Sequence, residues 1–182
     1  MNMPAPSRRP IGLPIVFLAA LVCLPLAAYS QQYIDARNTS DETARLETQM
    51  WEMVNHDRTA PAQAEETKGR AHPLVWDARL AAAAREHSEE MARTGFFSHA
   101  SPDGSTLSRR VSLAGIQWLS IGENIAKVDD VARAEAMFMD EPKFERNHRG
   151  NILNPNYTHV GIGIARGQDG LLYITQEFAQ LR

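Results

Sequence analysis

Four residues from separate stretches of the chain could do chemistry together: His99, Glu123, Glu141 and His148. His99 follows Ser98 in a turn-rich segment, Ser98-His99-Ala100-Ser101-Pro102-Asp103-Gly104. Glu123 sits between Gly122 and Asn124, where a tight backbone can aim a carboxylate inward. Asp140-Glu141 lies just before His148-Arg149-Gly150-Asn151-Ile152-Leu153. Two imidazoles and two carboxylates suit a divalent metal ion such as zinc, with His99 and His148 as ligands. The same set suits an acid/base histidine oriented by a carboxylate. Equally, each histidine could bond a backbone carbonyl and do no more than fix a loop.

Other chemistries find less support. His99 and His148 are too far apart to form a helix-borne HExxH zinc pair. Ser98, Ser101, Ser105 and Ser120 are candidate hydroxyl nucleophiles, but no GxSxG elbow marks any of them. Ser98 adjoins His99, and neighbours on an extended segment point in opposite directions. Glu177, in Thr175-Gln176-Glu177-Phe178, reads as a strand residue facing solvent. His87 falls on an apolar helical stripe and reads as a core residue. His56 falls at a helix end, His72 in a loop and His159 at a strand start.

The elements that must position these residues are legible from spacing. Leu46, Met50, Met53 and Val54 share one helical face, predicting a helix over 40–58 after a polar linker at 31–39. Two prolines and a glycine make 59–73 a predicted loop. Asp77 caps a predicted helix through Thr94, with Leu80, Ala84, His87 and Met91 on one stripe and Gly95 as its stop. A short helix is expected over 105–114, an extended segment over 121–126, and a helix opened by Asp129 or Asp130. Strands over 158–165 and 171–179 flank Arg166-Gly167-Gln168-Asp169-Gly170, a hairpin turn. Helices first and a terminal hairpin predict an α+β domain.

At the start of the chain, Arg8 and Arg9 precede an uncharged apolar run from Ile11 to Ala28. Residues 1–30 thus read as a secretory signal peptide cleaved after Ser30, or as an uncleaved N-terminal anchor with residues 11–29 in the membrane. The domain at 40–182 is then secreted or periplasmic, or tethered to the membrane. Cys23 is the single cysteine and lies in this run, so the exported part has no disulfide. The chain carries 19 basic and 22 acidic residues, and without Arg8 and Arg9 the net charge is −5. With no basic stripe interleaved with aromatics, nucleic acid is not an expected partner.

Taken together, these segments resemble a known family. Leu74-Val75-Trp76-Asp77, Ser98-His99 with Pro102-Asp103-Gly104, Gly122-Glu123-Asn124-Ile125-Ala126, His148-Arg149-Gly150-Asn151-Ile152-Leu153 and Val160-Gly161-Ile162-Gly163 resemble the CAP superfamily, in its bacterial SCP-like branch. The resemblance implies an α-β-α sandwich with a central antiparallel sheet between helical layers. It also implies a cleft tetrad of His99, Glu123, Glu141 and His148, with Phe138 standing where the family's W-x-x-E has tryptophan. Family members have been linked to divalent cations, lipids and proteolysis. The expected function is therefore a cation-binding cleft that takes a further ligand, whether lipid, peptide or cell-envelope component. A peptidase-like hydrolase and a lipid-binding module are the alternatives.

Overall fold

The computed structural model describes residues 26–143 and 146–182. The apolar leader, Cys23 and the cleavage or anchoring reading fall largely on residues 1–25, outside the described residues. Among the described residues no helix is long and apolar enough to cross a membrane. The chain divides into two compact units, Met1–Asp35 and Ala36–Arg182, and the second carries the candidate site.

The described elements follow in order: α1 (Leu26–Thr59), α2 (Pro61–Thr67), β1 (Val75–Trp76), α3 (Ala78–Thr94), α4 (Leu107–Leu113), β2 (Trp118–Val128), α5 (Val131–Met139), α6 (His148–Leu153), β3 (His159–Arg166) and β4 (Leu172–Leu181). The sheet runs β1-β3-β4-β2, which makes β4 a central strand and β2 an edge. β2 pairs antiparallel with β4, and β3 antiparallel with β4. β1 departs from the expected all-antiparallel sheet, since its two residues pair parallel with β3.

Side-chain alternation sends the two faces of this sheet into different helical layers. Val160, Ile162 and Ile164 of β3 and Leu172, Ile174 and Phe178 of β4 pack with Met50 and Val54 of α1, Val131, Ala134 and Phe138 of α5, and Ile152 and Leu153 of α6. On the other face Ala179 meets Leu80 of α3 and Val111 of α4, and Tyr173 meets Met91. The expected α+β, helix–sheet–helix architecture is present. Its tightest seam lies where Gly161 and Gly163 meet α3. A Cβ at Gly163 would stand 2.0 Å from the Arg85 backbone nitrogen, and one at Gly161 would stand 2.1 Å from that of Ala81.

Capping explains the helix limits that the sequence marks. Asp77 accepts from the backbone of Arg79 and Leu80, and Gly95 ends α3 at φ 72°. Asp130 caps α5 through Ala132 and Arg133, and Asn147 caps α6 through Gly150. Two segments are helical where the sequence gives no helical pattern. Residues 31–39, read as a polar linker, lie within α1, which begins at Leu26. The polar sequence there has no apolar stripe to announce a helix. The 59–73 segment is not all loop, because Pro61 opens α2, its fixed φ suiting the first helical turn. Only Thr67 is buried in α2, so no periodicity betrays it.

Arg58, at the end of α1, is fully buried. Its guanidinium donates to the carbonyls of His72 at 2.6 Å, Ile152 at 2.5 Å and Asn154 at 3.1 Å. Burial lowers its pKa to about 10. One buried cation thus ties α1 to the chain leaving α6, the element that carries His148.

Candidate functional site

The cleft lies at the edge strand β2, where both helical layers are within reach. A cavity of about 1160 Å³ is lined by His99, Glu123, Glu141 and His148, so all four residues expected at the site face one space. His99 arrives on the loop after α3, Glu123 on β2, Glu141 just past α5, and His148 at the start of α6.

Each imidazole is held by its own carboxylate. His99 Nδ1 lies 2.8 Å from Glu123 Oε1, and His148 Nδ1 lies 2.6 Å from Glu141 Oε1. A carboxylate accepts, so the Nδ1 atoms carry the protons and the Nε2 atoms of the neutral rings carry the lone pairs. Neither Nε2 has a protein partner among the described residues. Glu141 Oε2 also accepts from the His148 backbone at 2.8 Å. Burial works against the Glu141 charge, but these hydrogen bonds outweigh it and hold the carboxyl below its usual range. Phe138 stacks on the His148 ring with centroids 4.7 Å apart, giving the aromatic of the degenerate motif a physical role.

Behind the visible residues stands a buried shell. Arg110 of α4 donates to Glu123 Oε2, and to the His99 carbonyl at 3.2 Å, so it fixes both the carboxylate and the loop. Its Nε also reaches Glu177 Oε1 at 3.5 Å. Glu177 does not face solvent. It is wholly buried because β4 is covered on both faces. Burial first, then the Glu123 charge, raises its pKa to about 8 against the opposing pull of Arg110.

His87 is a core residue, as expected, but only one of its nitrogens is satisfied. Nε2 donates to the Ser98 carbonyl at 3.0 Å, and Nδ1 has no partner among the described residues. Burial, then Arg110, lowers its pKa and keeps the ring neutral.

On the opposite face of the sheet, amides hold the two halves of the cleft together. Asn124 donates to the His148 carbonyl at 3.1 Å and to Gln176 at 2.9 Å. Asn151 donates to the Glu123 carbonyl at 3.1 Å and to Asn124 Oδ1 at 2.8 Å. A Cβ at Gly122 would meet the Tyr157 hydroxyl at 2.5 Å and Asn151 Oδ1 at 2.7 Å. These contacts explain why Gly122, Asn124 and Asn151 accompany the ionisable residues. Arg110 and Gln176 carry no sequence signal of a place in the site, and Glu177 reads as solvent-facing, because only the fold brings them near.

Three of the four candidate serines are engaged elsewhere. Ser98 Oγ accepts from the Ala100 amide, Ser105 Oγ donates to Asp103, and Ser120 Oγ donates to Gln180. No serine among the described residues is hydrogen-bonded to an imidazole. His159 Nδ1 contacts Thr158 Oγ1 at 2.8 Å, and His159 is not among the residues lining the cleft. His56 lines a separate cavity.

For a metal ion, the fit is that of an open site. His99 and His148 offer two nitrogens, and no cluster of three or more His, Cys, Asp or Glu side chains among the described residues could hold one ion. A closed four-ligand structural zinc is thereby disfavoured, whereas a cation retaining water or ligand positions fits.

The sequence and the fold are matched elsewhere. The model of the cysteine-rich secretory protein family, CAP, matches residues 51–178. The chain belongs to the CAP family. Two relatives come from Bacillus subtilis (strain 168). Uncharacterized protein YkwD is 35% identical over 119 residues, covering 63% of this chain and 42% of the relative. Uncharacterized membrane protein YlbC is 36% identical over 107 residues, covering 58% of this chain and 28% of the relative. The chain therefore spans less than half the length of the curated relatives it matches. Among solved structures, an extracellular protein containing a SCP domain from Bacillus anthracis str. Ames superposes with TM-score 0.59 at 26% identity, over 77% of this chain and 43% of that one.

Proposed function

We propose that this CAP protein works outside the cytoplasm and binds a divalent cation through His99 Nε2 and His148 Nε2, presenting it to a ligand in the cleft. One observation carries the reading: both Nδ1 atoms are occupied by carboxylates, which leaves two Nε2 lone pairs on one cavity. Carboxylate-bonded imidazoles are the usual arrangement around protein-bound metals, because the carboxylate sets the tautomer and raises ligand basicity. A bound divalent cation would polarise a ligand oxygen and acidify a bound water. The chain's own contribution is to hold both rings, with Arg110 fixing Glu123 and Phe138 stacked on the His148 ring. Export is supported by the apolar leader behind Arg8 and Arg9 and by the extracellular setting of the Bacillus anthracis relative. The cleft lining is dominated by charged and amide side chains, which favours a polar ligand over an acyl chain.

Metal ligation needs neutral imidazole, so protons compete with the ion as pH falls through the ordinary histidine range, about 6–7. Zinc affinity measured by calorimetry is expected to fall steeply between about pH 7.5 and 5.5 and to be largely lost in His99→Ala. Zinc binding undiminished in His99→Ala/His148→Ala would place any ion elsewhere and sink the proposal.

A further inference from the structure

One tetrad carboxylate is matched by an arginine and the other is held by a histidine, and the charge left over among the described residues of the cleft is still positive. Glu123 is matched by Arg110 and bonded to His99, and Glu141 is bonded to His148. The same cavity is lined by Arg70, Lys143, Arg146 and Arg149. Only Glu66 answers these four cations among the described residues lining the cavity. Its carboxylate takes Arg149 at 2.6 Å and Lys143 at 3.3 Å. Burial opposes that charge, but the bonds from Arg149 and Lys143 outweigh it and keep the Glu66 carboxyl below its usual range. The Arg70 side chain bonds the Thr67 carbonyl at 3.2 Å, and among the described residues neither Arg70 nor Arg146 has a carboxylate partner. Counting Glu141, whose ion-pair partner among the described residues is a histidine, against them as well leaves four cations to two anions among the described lining residues.

This excess is not a property of the whole surface, because the chain is net acidic at −3. A cationic concavity on an acidic protein concentrates field lines and draws anions into it. Guanidinium groups add shape to the charge, since their paired N–H donors match a carboxylate or phosphate edge. The volume, about 1160 Å³, exceeds the roughly 300–1,000 Å³ usual for a compact small-molecule site and suits an extended ligand.

We infer that the cleft takes an extended anionic ligand, its phosphate or carboxylate groups held by Arg70, Lys143 and Arg146 in the cavity that holds the two imidazoles. The inference rests on that cavity being the binding site, but not on a metal ion being in it. Arg149 is fixed by Glu66 and by the Met139 carbonyl at 2.7 Å, and so supports the wall while the other three cations meet the ligand.

Calorimetry on the metal-free full-length protein tests this with two probes, inorganic pyrophosphate and triglutamate. Saturable binding of at least one is expected, weakening as salt rises, because ion contacts are screened. Preference for pyrophosphate would name the phosphate source, and preference for triglutamate the carboxylate source. Arg70→Ala and Arg146→Ala should each weaken binding by about tenfold, the scale of one lost charge-assisted contact. Both side chains are exposed, so thermal melts should show folded variants, and Arg146→Glu provides a second, charge-reversed variant. Absence of saturable binding for both probes would overturn the inference, as would equal affinity in Arg70→Ala/Arg146→Ala. Zinc titration without either anion reports separately on the cation proposal, so either idea can fail while the other stands.

Discussion

Glu123 does two jobs with two oxygens: one orients His99 and the other neutralises Arg110. Both partners of the ion pair are largely withdrawn from water, with side-chain exposures of 3% and 9%. Removing one member of such a pair strands the other, which typically costs about 3–5 kcal/mol. Glu123→Ala is therefore expected to lower the unfolding free energy measured in urea by an amount in that range, with the loss partly recovered in Glu123→Ala/Arg110→Met. Equal stability of Glu123→Ala and wild type would show that solvent compensates Arg110 and that the pair contributes nothing net. Glu141 is under no such constraint. Its partner His148 is one-third exposed, so Glu141→Gln should affect cation binding more than stability.

At the level of elements, the site depends on how closely α3 lies against β3, because α3 ends at the loop that carries His99. Gly161 and Gly163 allow backbone to approach backbone, and the clash a Cβ would make is with main-chain atoms that no rotamer can clear. Gly163→Ala must push α3 outward, and overpacking of this kind costs about 1–3 kcal/mol or more. The expected outcome is a lower melting temperature together with weakened zinc binding, since His99 is carried away from His148. A melting temperature within a degree of wild type would mean that α3 is less firmly seated than the geometry indicates.

Across the whole molecule, two buried glutamates store a pH dependence. Glu135 Oε1 has no donor among the described residues, and its neighbour is the Asp57 carboxylate, also an acceptor, so a proton shared between them satisfies both. Burial, with the Asp57 charge adding to it, raises Glu135 to about 8, and burial raises Glu177 to about 8. The fold therefore holds protons that the unfolded chain releases near the ordinary value of 4.5. Between these values the native state binds more protons, so stability falls as pH rises, by about 1.4 kcal/mol per pH unit for each group. Below 4.5 the effect is fully favourable, and above 8 it has been spent. Glu135→Gln mimics the neutral form, its amide able to donate to Asp57 while its oxygen accepts from Gln176. Melting temperatures recorded from pH 5 to 8.5 should fall less in Glu135→Gln and Glu177→Gln than in wild type. Parallel curves would show that both carboxyls are ionised in the fold.

Local signals were enough for much of this. Asp77 and Gly95 mark the ends of α3, Asp130 opens α5, and the glycine-rich turn before β4 marks a hairpin, because caps and turns are satisfied by residues a few positions apart. The motifs around His99, Glu123, Glu141 and His148 were legible for the same reason, each being a short segment with its own turn chemistry. What the tertiary structure alone decided is which distant groups share a dielectric environment. An arginine or glutamate reads as a surface residue, yet Arg58, Arg110, Glu135 and Glu177 are buried because partners far away in sequence answer them. The side of β4 on which Glu177 lies becomes interior only when α3 and α4 cover it. The sequence marked the residues able to do chemistry, whereas their charge states, supports and shared cavity depend on desolvation and long-range pairing, which exist only once the sheet is closed between its two helical layers.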